Sequence, residues 1–380
     1  MAEQKDDNKN KMPRWLHLIG RFFGILPPAE PKAERPKTVT GEILRVTKDM
    51  GAAFLAALIF IQFVIQAFKI PTGSMENSLL VGDFLLGLKF VYGSPIPFSW
   101  SKLPGIKEPE KNDVVIFKFP GDPEYPNNEP ERHIKLINTL VFGTLYFDKE
   151  KNGIVVHSPK DFIKRCVAVS GDTIAYTDKK LFVNSKEIAL PPKGMHIDTR
   201  IIPSEMDTRD LFGPYVIPSK GETIKLSGEG VSLREFHWAR SLIYQENPKS
   251  KLETVMRIMV GDSLHTVFRQ KGALYIKYSE WDWHAFNQQL TQFSEKVAHA
   301  PVTVHWSFYL DGKEIKEYTL NENAYFMMGD NRDNSLDSRY WGFVSKRFVK
   351  AKALIIYFSW DSFNSFTDKI RFSRIGRLIF

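Results

Sequence analysis

The chain has 380 residues, of which 43% are hydrophobic and 13% aromatic, so it can build a substantial core and does not have the composition of a disordered protein. Its formal net charge of +8 is compatible with binding nucleic acid or anionic lipid. A single cysteine, Cys166, excludes a disulfide within the chain, and we interpret it as a small buried apolar side chain.

The first 49 residues are polar and contain several prolines, as is typical of a largely disordered segment. An uncharged run follows at 50–68, MGAAFLAALIFIQFVIQAF, which as a helix of about 1.5 Å per residue would be about 28 Å long. We predict that this run is a transmembrane helix, with a buried core helix as the alternative. Because no small-x-small site follows it, we expect it to stay attached as an anchor.

The flanks of the apolar run differ in charge. Residues 1–50 contain ten Lys or Arg residues, so the positive-inside rule predicts a cytoplasmic N-terminus and an extracytoplasmic domain after Lys69. Lipid then explains the basic charge better than nucleic acid does, and we expect no nucleic-acid partner. The segment KIRFSRIGRLIF at 369–380 also mixes basic and apolar residues, which is compatible with lipid binding or with packing against the folded domain.

After the apolar run, the sequence pattern changes to that of strands. β-branched and aromatic segments alternate with turn residues in DVVIFKF (113–119), TIAYT (173–177), ETIKLS (222–227), ALYIKY (273–278) and VTVHWSFYL (302–310). Segments 181–188 and 308–315 each read as a hairpin, and the Asp311-Gly312 pair in the second suits a type I′ turn. The sequence therefore predicts a mainly β protein with an antiparallel sheet.

Residues 190–302 carry no chemical motif and include a helix-like piece, WDWHAFNQQLTQFSEKV, at 281–297. We interpret this stretch as an α+β lobe that is inserted into a β domain formed by 69–189 and 303–380.

A serine lies directly after the apolar run, in IPTGSMENSLLVGD at 70–83. Ser74 by itself could belong to a simple turn, because a serine hydroxyl becomes a nucleophile only with a base within hydrogen-bond reach. Nine histidines are present, but none, His237 and His284 included, lies in a setting that points to Ser74. A Ser-His-Asp triad stays open as the less favoured arrangement, and a Ser-Lys dyad is the alternative.

The candidate base is Lys164, in the segment DFIKRCVAVSGD at 161–172. A lysine acts as a base only when neutral, so burial has to lower its pKa from about 10.4 by about two units or more. The apolar strand around Lys164 permits such burial, and Arg165 is expected on the opposite face of the strand. Lys118, in another strand, is expected to be exposed.

A third polar segment, GDNRDNSLDSRYWGFV, occupies 329–344. Its Asp330, Asp333 and Asp337 do not make a calcium loop, because the required Gly and Glu are missing. The three segments, in this order after an apolar run, resemble the signature boxes of bacterial type I signal peptidases. The resemblance covers 68–119, 162–188 and 309–380, and it departs at Asn77-Ser78, where the family often has Pro-Thr.

This resemblance implies a role for each matching residue. Ser74 is expected to be the nucleophile and Lys164 the general base, with the Thr72 hydroxyl and the Ser74 backbone N–H forming the oxyanion hole. Ser335 is expected to orient Lys164, next to a buried ion pair of Asp337 and Arg339. Pockets for small substrate side chains are expected to be lined by Phe68, Ile70, Met75 and Ile163.

The implied protein is a membrane-anchored serine endopeptidase that removes N-terminal signal peptides from exported preproteins at small-x-small sites. We expect a monomer in the bacterial cytoplasmic membrane that contacts lipid and needs no metal or other cofactor. Two alternatives stay open. One is a Ser-Lys self-cleaving regulator similar to the repressor autoproteases, and the other is a non-catalytic membrane-anchored protein that binds partners through 190–302.

Overall fold

The computed structural model describes residues 38–96, 101–120, 133–135, 145–148, 153–156, 161–201, 210–226, 233–247, 250–271, 302–361 and 368–380. Three predictions lie wholly outside these ranges: the strand at 273–278, the helix-like piece at 281–297, and any role for His284. The structure divides into two compact units, Met1–Ala57 and Leu58–Phe380. The second unit contains every sheet of the described residues and every candidate site residue.

Strands predominate in the described residues, which confirms the predicted mainly β character. In the ranges given above, the helices are α1 (Val39–Phe63), α2 (Leu233–Glu246) and α3 (Ser338–Trp341). The strands are β1 (Ile65–Lys69), β2 (Asp83–Leu88), β3 (Val114–Lys118), β4 (His133–Lys135), β5 (Leu145–Asp148), β6 (Gly153–Val156), β7 (Asp161–Val169), β8 (Thr173–Thr177), β9 (Lys180–Val183), β10 (Lys186–Ile188), β11 (Leu211–Val216), β12 (Thr223–Lys225), β13 (Leu252–Val260), β14 (Ser263–Lys271), β15 (Val302–Leu310), β16 (Lys313–Ile315), β17 (Glu317–Thr319), β18 (Ala324–Met328), β19 (Val344–Ser345) and β20 (Val349–Ser359).

The helix predicted over 50–68 is not confirmed. Helix α1 begins at Val39, within the segment predicted to be disordered, and it ends at Phe63. The next residues form β1, which pairs with β2 along its whole length. Among the described residues, no helix is both long and apolar enough to cross a membrane.

The end of α1 has a physical cause. The last carbonyls of a helix need new partners, and here they find them in the β domain. Lys89 Nζ donates to the carbonyls of Ile61 (3.0 Å) and Gln62 (3.1 Å), and Ser94 Oγ donates to the carbonyl of Phe63. Because these side chains satisfy the last turn and β2 pairs the residues that follow, the apolar run divides into a helix and a strand.

The largest sheet has seven strands in the order β1-β2-β20-β3-β7-β18-β19, and every pair in it is antiparallel. Strand β7 lies beside β3 from Asp161 to Arg165, but it pairs with β18 only from Arg165 onward. One backbone edge of the first part of β7 is thus unpaired within the described residues, and β1 is an edge strand. Both unpaired edges are close in sequence to candidate site residues.

Several predicted strands are confirmed: β3, β8, β12 and β15 lie within the segments predicted at 113–119, 173–177, 222–227 and 302–310. Both predicted hairpins also form, as β9-β10 and β15-β16. Asp311 and Gly312 have positive φ angles of 52° and 81°, as a type I′ turn requires. Local turn chemistry was therefore sufficient to locate these hairpins.

Strands pair across both boundaries of the predicted 190–302 lobe. Strand β11, from inside the stretch, pairs with β8, and β13 pairs with β15 along nine residue pairs. Helix α2 contributes the buried Trp238 and Leu242 to a core that also contains Phe326 of β18. The division into a catalytic domain and a lobe stays a prediction, and the described sheets do not follow its boundaries.

Two parts of the core border the site. Cys166, Phe117 and Trp341 are buried in one cluster, as expected for the cysteine. A second group, here called the Met75 cluster, lies beneath the turn that carries Ser74. It consists of the buried Ile70, Met75, Leu79, Leu85, Val114, Ile116, Ala351, Ala353 and Ile356, with the partly buried Phe68, Ile163 and Ile379.

Candidate active site

Ser74 lies in a short 3-10 turn, Gly73–Met75, and its exposed fraction is 8%. The turn is held by Asn331, whose backbone N–H donates to the Ser74 carbonyl (3.1 Å) and whose side-chain amide donates to the Gly73 carbonyl (3.1 Å). A Cβ atom on Gly329 would lie 2.6 Å from the Ser74 carbonyl oxygen, so this close approach requires glycine. The turn is thus fixed by the segment 329–331.

Lys164 reaches this turn from β7. Its exposed fraction is 3%, and its Nζ atom lies 2.6 Å from Ser74 Oγ. The Nζ atom also lies 5.4 Å from the ring centre of Phe162. No histidine in the described part of the chain hydrogen-bonds to Ser74 Oγ. The structure brings the predicted nucleophile and base together.

Burial lowers the pKa of Lys164 from 10.5 to about 8. The negative charges of Asp337 and Asp330 oppose this shift, and the positive charge of Arg339 adds to it. With a pKa of about 8, about one molecule in ten has a neutral amine at pH 7. A neutral amine at this distance from a hydroxyl can accept its proton, so the pair can act as base and nucleophile.

Asp337 and Arg339 form the buried ion pair that was expected. Both are almost fully buried, and Arg339 Nε and Nη2 each donate to a different carboxylate oxygen of Asp337 at 2.9 Å. Burial raises the pKa of Asp337, but the charge and hydrogen bonds of Arg339 lower it more, and the pKa is lowered. Gly329 N–H donates to the same carboxylate at 3.0 Å. The pair is internally neutral and lies beneath the site.

A second buried ion pair was not predicted. Arg165 donates to both carboxylate oxygens of Asp330, from Nε at 2.9 Å and from Nη2 at 2.7 Å. Its Nη1 donates to the carbonyls of Asn112 (2.8 Å) and Phe380 (2.9 Å). Ser78 Oγ also donates to Asp330, at 2.6 Å. The only indication of this pair in the sequence was that Arg165 and Asp330 both lie within the motif segments.

Thr72 and Ser335 differ from each other in their surroundings. Thr72 is exposed and extended (φ −133°, ψ 158°), and its side chain does not cap the turn that follows. Ser335 is buried, and its Oγ makes no hydrogen bond of ordinary geometry within the described residues. A looser hydrogen bond from this hydroxyl to Asp337 is nevertheless one of the smaller causes that lower the pKa of that carboxyl group, after the charge and hydrogen bonds of Arg339. The expected bond from Ser335 to Lys164 is not formed in this structure.

The four residues expected to line the substrate pockets come together. Ile70 and Met75 are buried members of the Met75 cluster, and Phe68 and Ile163 are partly exposed members of it. Residues from β1, from the Ser74 turn and from the first part of β7 thus belong to one apolar cluster next to the turn that carries Ser74.

Part of the stretch predicted to lack any motif borders the site. Met195 exchanges backbone hydrogen bonds with Asp330 (2.9 Å) and Arg332 (3.0 Å). Its sulfur accepts a bond from Asn77 Nδ2 at 3.0 Å. Asp333, two residues after Asn331, accepts bonds from Lys179 Nζ (3.0 Å) and from the backbone of Asp198 (2.7 Å). Backbone contacts of this kind leave no signature in the residue types, so sequence reasoning missed them.

Comparison with known proteins identifies a family. The profile of the family described as "Signal peptidase, peptidase S26" matches residues 43–360. "Signal peptidase I" of Buchnera aphidicola subsp. Schizaphis graminum is 27% identical over 335 residues, which are 88% of this chain and 81% of that protein. The protein of the same name from Aquifex aeolicus is 26% identical over 80% of each chain, and that from Pseudomonas aeruginosa is 22% identical over 96% of this chain and 89% of its own.

The profile covers all three motif segments, together with the strands that position them. The relatives with this name come from several groups of bacteria and match most of their own length. The chain belongs to the signal peptidase family, peptidase S26, and is a serine peptidase of the signal peptidase I type.

Proposed function

We propose that this chain cleaves signal peptides from exported preproteins with Ser74 as nucleophile and Lys164 as general base. Ser74 Oγ attacks the scissile carbonyl while Lys164 Nζ takes the hydroxyl proton. Lys164 then returns that proton to the leaving amine, and it next activates the water that hydrolyses the acyl-enzyme. The Ser74 backbone N–H and the Thr72 hydroxyl stabilise the oxyanion.

One observation carries the proposal: Lys164 Nζ lies 2.6 Å from Ser74 Oγ in a site where burial lowers the lysine pKa to about 8. A lysine with an ordinary pKa of about 10.4 would be almost fully protonated at neutral pH and could not accept a proton. The turn that carries Ser74 is held by bonds from Asn331, so the nucleophile is positioned before substrate binds.

Ser335 completes the proposed machinery as the group that orients Lys164. The support is that the Ser335 hydroxyl is buried and makes no hydrogen bond of ordinary geometry within the described residues, and we propose that it turns toward the amine. Asp337 and Arg339 hold the adjoining backbone, because Asp337 accepts the Gly329 N–H and also caps the first turn of α3. Their pair adds no net charge next to the lysine.

The substrates we propose carry small side chains at the first and third positions before the cleaved bond. The support is the Met75 cluster, in which the buried Ile70 and Met75 come together with the partly exposed Phe68 and Ile163 next to the turn that carries Ser74. We propose that shallow pockets beside Phe68 and Ile163 accept small apolar side chains, which are the residues in which signal peptides end.

We further propose that the protein acts at the outer face of the bacterial cytoplasmic membrane, as a monomer in contact with lipid. The support is α1, whose apolar C-terminal half includes the exposed Phe54, Leu55 and Ile59 and which has no buried residue. The basic N-terminal flank then belongs on the cytoplasmic side. A reporter enzyme fused after Phe380 tests this topology, and activity of the reporter in the cytoplasm would overturn it.

The function itself is tested with the full-length protein in detergent and a preprotein that carries an Ala-x-Ala site. We expect Ser74→Ala and Lys164→Ala each to abolish cleavage while retaining the thermal unfolding transition, because the two groups act as a unit. Lys118→Ala is the matched control, since this lysine lies in the neighbouring strand β3 with its side chain over the Phe348 ring. Cleavage by either site variant at a rate near that of the unaltered protein would contradict the proposed mechanism.

A further inference from the structure

The described tail of the chain, residues 368–380, runs beside β20. Gly376 N–H donates to the Ile356 carbonyl (2.8 Å), Ile356 N–H donates to the Arg377 carbonyl (3.0 Å), and Ile379 N–H donates to the Leu354 carbonyl (2.9 Å). The tail, whose sequence was compatible with either lipid binding or packing, therefore packs against the β domain. Its path brings Ile379 toward the Met75 cluster.

Two buried guanidinium groups hold the tail next to the site. Arg374, on the tail, donates from Nε to both carboxylate oxygens of Asp83 at 3.0 and 3.1 Å and from Nη2 to the Ser78 carbonyl at 3.1 Å. Arg165, the residue after Lys164, donates to the Phe380 carbonyl at 2.9 Å. The tail is thus tied both to the segment that carries the nucleophile and to the strand that carries the base.

Ile379 packs into the Met75 cluster, where it is one of three partly buried members. The other two, Phe68 and Ile163, are residues that we propose as pocket walls. The remaining members are buried, so the cluster reaches the surface through these three side chains. The next residue toward the N-terminus, Leu378, is 49% exposed and is not part of the cluster.

We infer that Ile379 is a specificity-determining residue: its branched side chain forms a wall of the substrate pocket and limits the size of the residue accepted there. The inference deepens the proposed function and rests on it. Large substrate side chains are excluded because the volume they would need is filled by Ile379, while alanine fits without displacing it. Arg165 and Arg374 are positioning residues that keep this wall in place.

The consequence is a change in selectivity when the side chain is shortened. Ile379→Ala removes three carbon atoms from the wall. A difference of one methylene in an apolar pocket changes the ratio of kcat/KM between two substrates by about tenfold or more. We therefore expect Ile379→Ala to raise kcat/KM for a substrate with valine or leucine at one of the two small positions, relative to alanine, by about tenfold. A merely structural residue would lower kcat/KM for all substrates in the same proportion.

The experiment uses the full-length protein and a preprotein with an Ala-x-Ala site, together with two series in which the first or the third residue before the cleaved bond is replaced by valine or leucine. The ratio of kcat/KM between each replacement and alanine is measured for the unaltered protein, Ile379→Ala, Ile379→Val and Leu378→Ala. Leu378→Ala is the matched control because it shortens the neighbouring exposed side chain of the same tail. Ile379→Val, which loses one methyl group, gives a smaller shift and tests the inference even if Ile379→Ala does not fold.

The expected result is a shift in this ratio for both Ile379 variants at one of the two substrate positions. Leu378→Ala should show no such shift. Ratios unchanged by Ile379→Val and by any folded Ile379→Ala, or changed equally by Leu378→Ala, would overturn the inference while the proposed function stands. If the unaltered protein shows no Ser74-dependent cleavage of the Ala-x-Ala preprotein, the proposed function itself fails, and the inference fails with it.

Discussion

Lys164 and Arg165 are neighbours in β7 and both are buried, yet they have opposite surroundings. Arg165 meets Asp330 through two hydrogen bonds and donates to two carbonyls as well. Lys164 meets a hydroxyl, and the carboxylates of Asp337 and Asp330 act on it only through their charge. A buried cation that is hydrogen-bonded to a carboxylate stays charged and has a structural role. A buried cation with little compensating negative charge binds its proton less tightly and can act as a base.

Burial alone does not make that difference. Lys89 is also buried, and burial, helped by the charge of Lys350, lowers its pKa to about 8. Its Nζ donates to the carbonyls of Ile61 and Gln62, which have no proton to give up. Lys164 differs in having Ser74 Oγ as its neighbour, so the identity of the partner decides between a structural lysine and a candidate base.

The largest effect that we expect separates these two lysines. Lys164→Arg should lower kcat/KM by about a thousandfold or more, because a guanidinium stays charged at any usable pH and cannot take the Ser74 proton. Lys89→Arg retains donors for the helix carbonyls and should stay within about threefold of the unaltered protein. Steady-state cleavage of an Ala-x-Ala preprotein measures both, and an active Lys164→Arg enzyme would refute the lysine mechanism.

The role of Arg165, the paired cation, is tested by changing its partner Asp330. Asp330→Asn leaves the Arg165 guanidinium buried without its counter-charge, so the free energy of unfolding should fall by about 3–5 kcal/mol. Glu187→Gln is the control, because its contact with Lys180 is exposed, with side chains 54% and 60% accessible, and such pairs contribute about 1 kcal/mol or less. Denaturant unfolding of both variants gives the comparison, and equal losses would contradict it.

Lys164, the buried cation without a paired carboxylate, should instead lower the stability of the folded protein. The pKa of Lys164 is about 8 in the folded protein and 10.5 as an ordinary lysine, so between these pH values the unfolded chain binds more protons. Stability should therefore rise with pH from about 8 to about 10.5, and the full cost is present below about pH 8.

Replacing Lys164 by methionine removes this cost. Lys164→Met should be more stable than the unaltered protein by up to about 3 kcal/mol at pH 7, and the difference should shrink as the pH approaches 10.5. Chemical unfolding at a series of pH values measures it. A difference that does not change with pH would show that burial does not lower the pKa of Lys164.

The smallest effect concerns two serines near the same loop. Ser335→Ala should lower kcat by about tenfold to a hundredfold, since an amine without its orienting hydroxyl is misplaced, while stability is unchanged or slightly raised. Ser338 Oγ, in contrast, accepts the buried Met327 N–H at 2.9 Å, so Ser338→Ala should cost about 1–3 kcal/mol of stability and leave kcat nearly unchanged. An unaltered kcat in Ser335→Ala would remove Ser335 from the mechanism.

Much of the fold was predictable because its signals are local. Alternating β-branched and aromatic residues located β3, β8 and β15, and the Asp311-Gly312 pair located a hairpin, since these preferences act within a few residues. The apolar run at 50–68 shows the opposite. Its composition does not distinguish a helix from a helix followed by a strand, and pairing with β2 decides it.

The sequence by itself determined the family and the identity of the candidate nucleophile and base, because those depend on short motifs in a particular order. Only the tertiary structure decided that Arg165 faces Asp330, that Asn331 holds the Ser74 turn, and that Ile379 joins the Met75 cluster. Each of these contacts joins residues that are far apart in the chain, and an ordinary residue type leaves its distant partner unspecified. Pairing of the strands brings the partners together, and burial then sets how strongly their charges and volumes act.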